Sequence, residues 1–248
     1  MAGTASRASR ASRAGHTGRR ERLRAETTAE IKDVALELMA SGGPEAITLR
    51  AIAREMGMTA NAIYGYFATR DDLVTVLIGD VYTELADAVD TAWESASADS
   101  PAARIQGWAG AFRNWALANP EGFRLVYGDP VPGYDTPHGG AAPEAAHRVC
   151  AGLTALAAAA WPYAEHLHEG SEFEWSDFDP GLVDKVRADF PGLPPAAVAL
   201  ALRIWGRLHG LVSLEVYGHL RTQTTSPDKL FREEVTQLVR SLDIPLRS

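Results

Sequence analysis

The chain has 248 residues, of which 46% are hydrophobic and 23% charged, a composition typical of a soluble globular protein. Its longest apolar run, residues 150–161, is too short and too rich in alanine to span a bilayer, and the Arg- and Ser-rich N-terminal segment lacks the apolar stretch of a secretory signal. With Cys150 as the single cysteine, no disulfide can form within these residues, and a cytoplasmic location is expected.

The net charge of −8 is unevenly distributed along the chain. Seven arginines and one acid give residues 1–24 a net charge of +6, so the remaining residues carry −14. The seven are Arg7, Arg10, Arg13, Arg19, Arg20, Arg22 and Arg24. An acidic body cannot coat DNA over its whole surface, but it can present one basic end to phosphates. We expect residues 1–24 to form a disordered basic arm, and contact of this arm with DNA is left open.

Two helical patterns follow the arm. A T-x-x-E capping box, Thr27 with Glu30, predicts a helix over residues 27–40, which Gly42 and Gly43 end. Thr48 is then the predicted N-cap of a short helix whose apolar residues recur at helical spacing. The short helix is expected to end in a sharp turn, because the glycine at position 57 can adopt a positive φ.

A third helix is predicted directly after this turn. Thr59 is its expected N-cap, and Ile63 and Phe67, four residues apart, are expected to point inward. Two short helices joined by a glycine-containing turn are typical of a helix-turn-helix, although such pairs occur in many helical proteins. Residues 48–67 are therefore a candidate DNA-binding motif.

The amino-acid sequence of this motif closely resembles that of one protein family. TLRAIAREMGMTANAIYGYF, residues 48–67, preceded by IKDVALELMASGGPEAI and followed by ATRDDL, is similar to the DNA-binding domain of the tetracycline-repressor (TetR) family. The resemblance implies an all-α protein with a three-helix helix-turn-helix domain over residues 25–85. It also implies a C-terminal helical bundle over residues 86–248 for ligand binding and dimerisation.

The resemblance also implies which residues touch DNA. These are Thr48, Arg50, Thr59, Ala60, Asn61, Ala62, Tyr64, Tyr66 and Arg70. Thr48 and Arg70 would contact phosphates, the two tyrosines the sugar-phosphate backbone, and Arg50 either a guanine edge or a phosphate. Asn61 could pair with adenine, and the alanine methyls could touch thymine methyls. One residue departs from the family pattern. Gly65 brings no side chain to the groove at a position where the family usually has a bulky residue.

The rest of the chain is predicted to be helical with two loops. Thr69 and Asp72 cap a long helix that runs to about Ser95. Further helices are expected over residues 101–119, through 123–127, over 143–161, over 195–220 and from 226 to about 242, with loops at 128–143 and 165–180.

The helix over residues 195–220 is apolar on nearly every side, so it needs two packing partners. We expect it to pair with its copy in a homodimer, together with the last helix. The predicted interface residues are Leu208, Leu211, Leu214 and Leu238. WGRLHGLVSLEVYGHL and FRLVYGDPVPGY also resemble the C-terminal subgroup named for its Trp-His-Gly motif.

An apolar ligand pocket is expected inside the C-terminal bundle. The residues predicted to line it are Trp108, Phe112, Trp115, Phe123, Tyr127, Trp161, Trp205 and His209. Core packing is the competing interpretation for most of the aromatic rings. His209 and Glu215 could alternatively form a structural hydrogen-bonded pair.

These features favour a ligand-responsive, sequence-specific transcriptional repressor. It would bind a pseudo-palindromic operator as a dimer, leave it when a small hydrophobic effector binds, and need no cofactor. An architectural DNA-binding protein is disfavoured because the C-terminal domain is acidic. The remaining alternative is a helical metal-dependent enzyme with an incidental helix-turn-helix, whose metal site would lie in the acidic loop. The candidate ligands there are His166, His168, Glu169, Glu172, Glu174, Asp177 and Asp179, but no metal-binding motif accompanies them.

Overall fold

The structure, a computed structural model, describes the backbone of residues 4–245 and the side chains of residues 18–245. Across these residues it contains ten α-helices and no strand, which confirms the predicted all-α fold. The helices are α1 (Thr4–Gly42), α2 (Leu49–Glu55), α3 (Ala60–Tyr64), α4 (Arg70–Ser95), α5 (Pro101–Ala118), α6 (Pro120–Tyr127), α7 (Pro143–Ala164), α8 (Pro180–Asp189), α9 (Pro195–Val216) and α10 (Pro227–Arg240). Short 3-10 turns occupy Pro44–Ala46, Glu165–His168 and Trp175–Asp177.

The chain forms two compact units. The first comprises Met1–Leu77 together with Tyr127–Pro137, and the second comprises Ile78–Val126 with His138–Ser248. The first unit packs α1 against α2 and α2 against α3. Its core contains aliphatic residues from each of these helices and one from the segment between α1 and α2. Ile31, Ile47, Ile52, Ile63 and Leu73 are all 0% exposed.

Helix α1 begins earlier than the sequence predicts. It runs from Thr4, and Thr27 lies inside it, where its hydroxyl donates to the carbonyl of Leu23 at 2.9 Å. Thr27 is therefore not an N-cap, and the predicted capping box is wrong. Alanine and arginine are strong helix formers, which explains a helical path through this segment. The side chains of residues 1–17 lie outside the described residues, so the disordered arm and its contact with DNA stay predictions.

The helix-turn-helix is closed by the local caps that the sequence predicts. The hydroxyl of Thr48 accepts from the amide of Ala51 at 3.1 Å, and that of Thr59 accepts from Ala62 at 3.2 Å. Between the two helices Gly57 has φ +64°, a conformation that glycine adopts without strain. Two N-caps and one left-handed residue thus define the turn.

The second unit is a bundle around α9. This helix packs against α5, α7 and α10, and α7 also packs against α5 and α8. Among residues 4–245, α9 alone is long and apolar enough to cross a membrane by length and composition. The same composition suits a central core helix, and Ile204, Leu208 and Val212 are each 0% exposed.

One helix in this unit was not predicted, and one boundary differs from prediction. Helix α8 begins at the last residue of the predicted loop over 165–180, and Asp179 caps it by accepting from the amides of Gly181 and Leu182. Helix α9 ends at Val216 rather than near Leu220, because Gly218 turns the chain with φ +79°.

Candidate nucleic-acid interface and ligand site

Helix α3 has one buried and one exposed face. Ile63 is fully buried and Phe67 is 6% exposed, so both point inward as predicted. Ala60 and Asn61 are exposed, and Tyr64 is 47% exposed. The short helix therefore presents a methyl group, an amide and a phenol on one surface. Such groups can contact base edges in a major groove and the phosphates beside it.

The start of α2 contributes to the same unit. Arg50 is exposed in its first turn, and Arg54 is exposed one turn later beside Glu55, 3.4 Å away. The hydroxyl of Thr48 already accepts an amide hydrogen bond, and its O–H remains available to donate to a phosphate oxygen.

Helix α1 holds the end of α3 through Arg24. Its guanidinium donates to the carbonyl of Gly65 at 2.8 Å and lies over the ring of Tyr66, 4.9 Å from the centroid. Such a contact contributes about 0.5–1 kcal/mol when exposed. The sequence assigned Arg24 only to the basic arm, because no local pattern shows a contact 41 residues away.

Arg70 binds backbone carbonyls. Its Nε donates to Ile47 at 2.6 Å, one Nη donates to Pro132 at 2.8 Å and the other to Pro44 at 3.0 Å. The sequence predicts a phosphate contact for Arg70, which stays a prediction. Two of its five N–H donors remain beyond the three carbonyl bonds.

Five of the residues predicted to bind ligand form one cluster of rings in the second unit. Phe112 contacts Trp108 and Phe123, with centroids 5.6 Å and 6.2 Å apart. His209 stacks on Phe123 at 5.4 Å and meets Trp205 at the same distance. Its Nδ1 lies 3.2 Å from the hydroxyl of Ser213, and burial lowers the pKa of His209. Glu215 binds Arg113 instead, so a His209–Glu215 pair is not formed.

The tryptophans on α5 have unsatisfied donors. The indole N–H groups of Trp108 and Trp115 are buried and have no hydrogen-bond partner among the described residues. Buried polar groups are usually hydrogen-bonded, so these two donors are candidates to bind a water or a ligand acceptor. Two predicted pocket residues lie elsewhere, since Trp161 stacks on His168 at 5.6 Å and Tyr127 belongs to the first unit.

A separate groove lies between α7 and α8. It has a volume of about 310 Å³, close to the lower limit for small-molecule sites. Cys150 and Lys185 line it, as does His147, whose Nε2 is 3.1 Å from the carboxylate of Asp189. Cys150 is an exposed free cysteine, and partial desolvation in this groove raises the pKa of its thiol.

The four leucines predicted for a dimer interface fall into two groups. Leu208 and Leu238 are 0% and 2% exposed inside a single chain, so they belong to its core and the prediction is corrected for both. Leu211 is half-buried, and Leu214 is 42% exposed. The sequence could not separate these groups because α9 is apolar on nearly every side.

The acidic loop residues serve as local caps. Asp177 accepts from the amide of Glu174 at 2.8 Å, and Asp179 caps α8. His166 pairs with Asp243 at 2.9 Å. Within the described side chains, no three His, Cys, Asp or Glu residues gather in a way that could hold a metal ion.

Comparison with known proteins adds independent findings. Residues 31–77 match the sequence profile of bacterial regulatory proteins of the tetR family, and residues 105–238 match a tetracyclin repressor-like C-terminal domain. The chain is 34% identical to the HTH-type transcriptional regulator Rv1816 of Mycobacterium tuberculosis over 229 residues, 90% of this chain and 95% of that protein.

Solved structures agree with this similarity. The chain resembles the crystal structure of the regulatory protein SCO4313 with a TM-score of 0.68 and 35% identity, covering 89% of this chain and 98% of that one. It also shares the fold of PfmR, a TetR-family regulator from Thermus thermophilus, with a TM-score of 0.57 and 15% identity, covering 86% and 98% of the two chains.

Proposed function

Because the chain belongs to the TetR family of DNA-binding transcriptional regulators, we propose that it is a cytoplasmic repressor that binds a pseudo-palindromic operator as a homodimer. A small hydrophobic effector would release it from DNA. The observation that supports operator binding best is the exposed face of α3, where Ala60, Asn61 and Tyr64 face away from the core that Ile63 and Phe67 anchor.

In this proposal α3 lies in the major groove. Asn61 pairs with adenine, and Ala60 and Ala62 pack against thymine methyls. Arg50 reads a guanine from the first turn of α2, while the hydroxyls of Thr48 and Thr59 and the phenols of Tyr64 and Tyr66 contact the backbone. Gly65 brings no side chain to the groove, and Arg24 occupies its carbonyl, so the base-reading residues of α3 end at Ala62.

Arg50 and Arg54 provide a matched pair for testing base recognition. We expect Arg50→Ala to weaken binding about 5- to 150-fold at one base step of the operator, because a bidentate arginine–guanine contact contributes about 1–3 kcal/mol. Arg54→Ala removes the same charge from the same helix, and should change all sequences equally. Binding to duplexes selected from a random library by the wild-type protein measures both. Equal losses on selected and random DNA for Arg50→Ala would show that it contacts phosphate only.

We propose that two chains associate through the exposed faces of α9 and α10. Leu202 and Leu214 on α9 are 48% and 42% exposed, and Leu230 on α10 is 39% exposed. Between the two α9 leucines, Cβ atoms built at Gly206 and Gly210 would meet nothing within 4 Å, so a second helix could approach this face closely. A partner that covers an apolar face of this kind removes it from water, which favours association of two chains.

Leu214→Glu tests this surface. A glutamate would be buried without a partner in the dimer, so we expect monomers at micromolar concentration. Leu117→Glu on α5 is the control, since that leucine is 38% exposed and lies outside the proposed interface. Light scattering would measure both variants. Dimers of Leu214→Glu, or monomers of both variants, would show that the interface lies elsewhere.

We propose that the effector binds at the ring cluster on α5, α6 and α9. The two buried indole N–H groups of Trp108 and Trp115 support an effector that carries hydrogen-bond acceptors on an otherwise apolar body. A carbonyl or ether oxygen would satisfy one donor, and the rings of Phe112 and Phe123 would pack against the apolar part.

A thermal-shift screen of hydrophobic compounds identifies the effector, because a compound that binds the native state raises its melting temperature. Trp108→Phe keeps an aromatic ring and removes the N–H donor, so it should weaken binding of an acceptor-bearing effector about tenfold. The single thiol provides the control for location, since a compound in the groove between α7 and α8 would slow alkylation of Cys150 instead. Protection of Cys150 with unchanged affinity in Trp108→Phe would refute the ring-cluster site.

A further inference from the structure

The segment Tyr127–Pro137, here called the strap, begins at the last residue of α6 and ends five residues before the last residue that precedes α7. Apart from Tyr127, the residues of both helices belong to the second unit, whereas the strap belongs to the compact unit that contains the helix-turn-helix. Val131 is 7% exposed, so the strap is anchored by a buried side chain. The amide of Tyr134 donates to the carbonyl of Val131 at 3.1 Å, which closes a turn around this anchor.

Arg70 ties the strap to the start of the helix-turn-helix. Its guanidinium, on the first residue of α4, reaches Pro132 of the strap and also Pro44 and Ile47. Ile47 directly precedes Thr48, the N-cap of α2. Because the guanidinium is planar and rigid, three simultaneous bonds fix the strap, the residues before α2 and the beginning of α4 in one arrangement.

A second tie lies further along α4. The hydroxyl of Thr75 is 2.9 Å from that of Tyr134, and this bond is partly buried. The strap is therefore held at two points of one tight turn, the carbonyl of Pro132 inside the turn and the phenol of Tyr134 at its end. Neither contact is used by the proposed base recognition.

We propose that Arg70, Thr75 and Tyr134 are positioning residues, and that docking of the strap holds the helix-turn-helix in the arrangement that binds operator. Arg70 then acts through Ile47 and Pro44 on the start of α2. This role differs from a phosphate contact, in which only the charge of Arg70 would matter. The proposal rests on the proposed function only because operator affinity is its readout.

Arg70→Lys separates the two roles. A lysine keeps the positive charge but cannot bind three carbonyls, so we expect operator affinity to fall about tenfold with an unchanged dependence on salt. If Arg70 instead contacted a phosphate, Arg70→Lys would keep nearly full operator affinity. Arg70→Ala would then reduce the slope of log affinity against log salt concentration by about one.

Tyr134→Phe and Thr75→Val test the second tie. Each removes one hydroxyl, and we expect a loss of about three- to tenfold in operator affinity for each, with no further loss in the double variant because both remove the same bond. Thr83→Val is the control, since the Thr83 hydroxyl on α4 donates only to the carbonyl of Gly79. Hydrogen exchange of the free protein should show faster exchange in residues 127–137 in the first two variants alone.

The measurements use the full chain and a duplex selected by the wild-type protein, with the active fraction determined by stoichiometric titration. Circular dichroism identifies any variant that does not fold. The operator affinities of the folded variants then test the proposal. Wild-type affinity in Arg70→Lys and Tyr134→Phe refutes the proposal, whether or not exchange of the strap increases. A wild-type protein that selects no DNA sequence would refute the proposed function instead.

Discussion

Replacement of Arg113 by alanine tests the ion pairs that join three helices of the second unit. Arg113 on α5 donates two bonds of 2.7 Å to Glu215 on α9 and one of 2.6 Å to Asp228, next to the N-terminal Pro227 of α10. Hydrogen bonding to Glu215 raises the pKa of Arg113 further above its usual value, so the guanidinium is charged at any pH at which the chain folds. The ring of Phe231 lies below it, 5.3 Å from the guanidinium carbon.

The size of the effect follows from exposure. The side chains of Arg113 and Glu215 are 10% and 14% exposed, whereas that of Asp228 is 66% exposed. The exposed pair contributes at most about 1 kcal/mol, because water screens it. Removal of one partner from a buried pair leaves an uncompensated charge, at a cost of about 3–5 kcal/mol. We therefore expect Arg113→Ala to lower the free energy of unfolding by about 3–5 kcal/mol, mostly through Glu215.

Urea denaturation followed by circular dichroism measures this loss. The double variant Arg113→Met, Glu215→Gln should recover most of it, because apolar or neutral replacement of a buried pair is often close to neutral. Arg148→Ala is the control, since that arginine also binds two carboxylates but its side chain is 37% exposed, and it should cost less than about 1 kcal/mol. Equal losses for Arg113→Ala and Arg148→Ala would refute the assignment of the cost to burial.

Two further substitutions test packing and protonation in the same unit. Gly152→Ala places a Cβ 2.9 Å from the buried indole nitrogen of Trp108 and should cost about 1–2 kcal/mol, whereas the Cβ of Gly110→Ala meets nothing and should stabilise α5 by about 0.5–1 kcal/mol. Urea denaturation measures both, and a stabilising Gly152→Ala would show that the indole can move. Because burial lowers the pKa of His209, the unfolded chain binds more protons below the ordinary pKa of about 6.5, so stability is lost as the pH falls below that value. His209→Gln does not titrate, and between pH 7.5 and 5.5 it should lose less stability than the wild type; equal losses would assign the dependence to other groups.

The helix-turn-helix could be predicted from the sequence because its signals are local. Thr48 and Thr59 cap the helix that follows each of them, and Gly57 turns the chain between them. The capping box at the start of α4, Thr69 with Asp72, is likewise confirmed by bonds of 3.0 Å in both directions. Each feature depends on residues within four positions, so a one-dimensional pattern contains it.

The long-range contacts could not be predicted in this way. The partners of Arg70 are 23, 26 and 62 residues distant, and nothing near Arg70 in the sequence distinguishes a carbonyl from a phosphate as its target. The same limit explains why the sequence could not separate buried from exposed leucines among the predicted interface residues. Leu208 and Leu214 are both leucines on one apolar helix, and only the packing of α5, α7 and α10 around α9 determines which is buried.

In the proposed mechanism, the contacts of the strap also have the size that control by an effector would need. Coupling between two ligands of one protein is typically about 1–3 kcal/mol, a factor of about 5–150 in affinity. One hydrogen bond contributes about 0.5–1.5 kcal/mol net, so loss of the Arg70–Pro132 and Thr75–Tyr134 bonds together falls in that range. Because the strap is linked covalently to α6 through Tyr127 and to α7 through residues 138–142, a change in those helices that undocks it would need no other route to weaken operator binding. Effector and operator would then oppose each other by the same factor, and variants that undock the strap would lose operator affinity and effector response together.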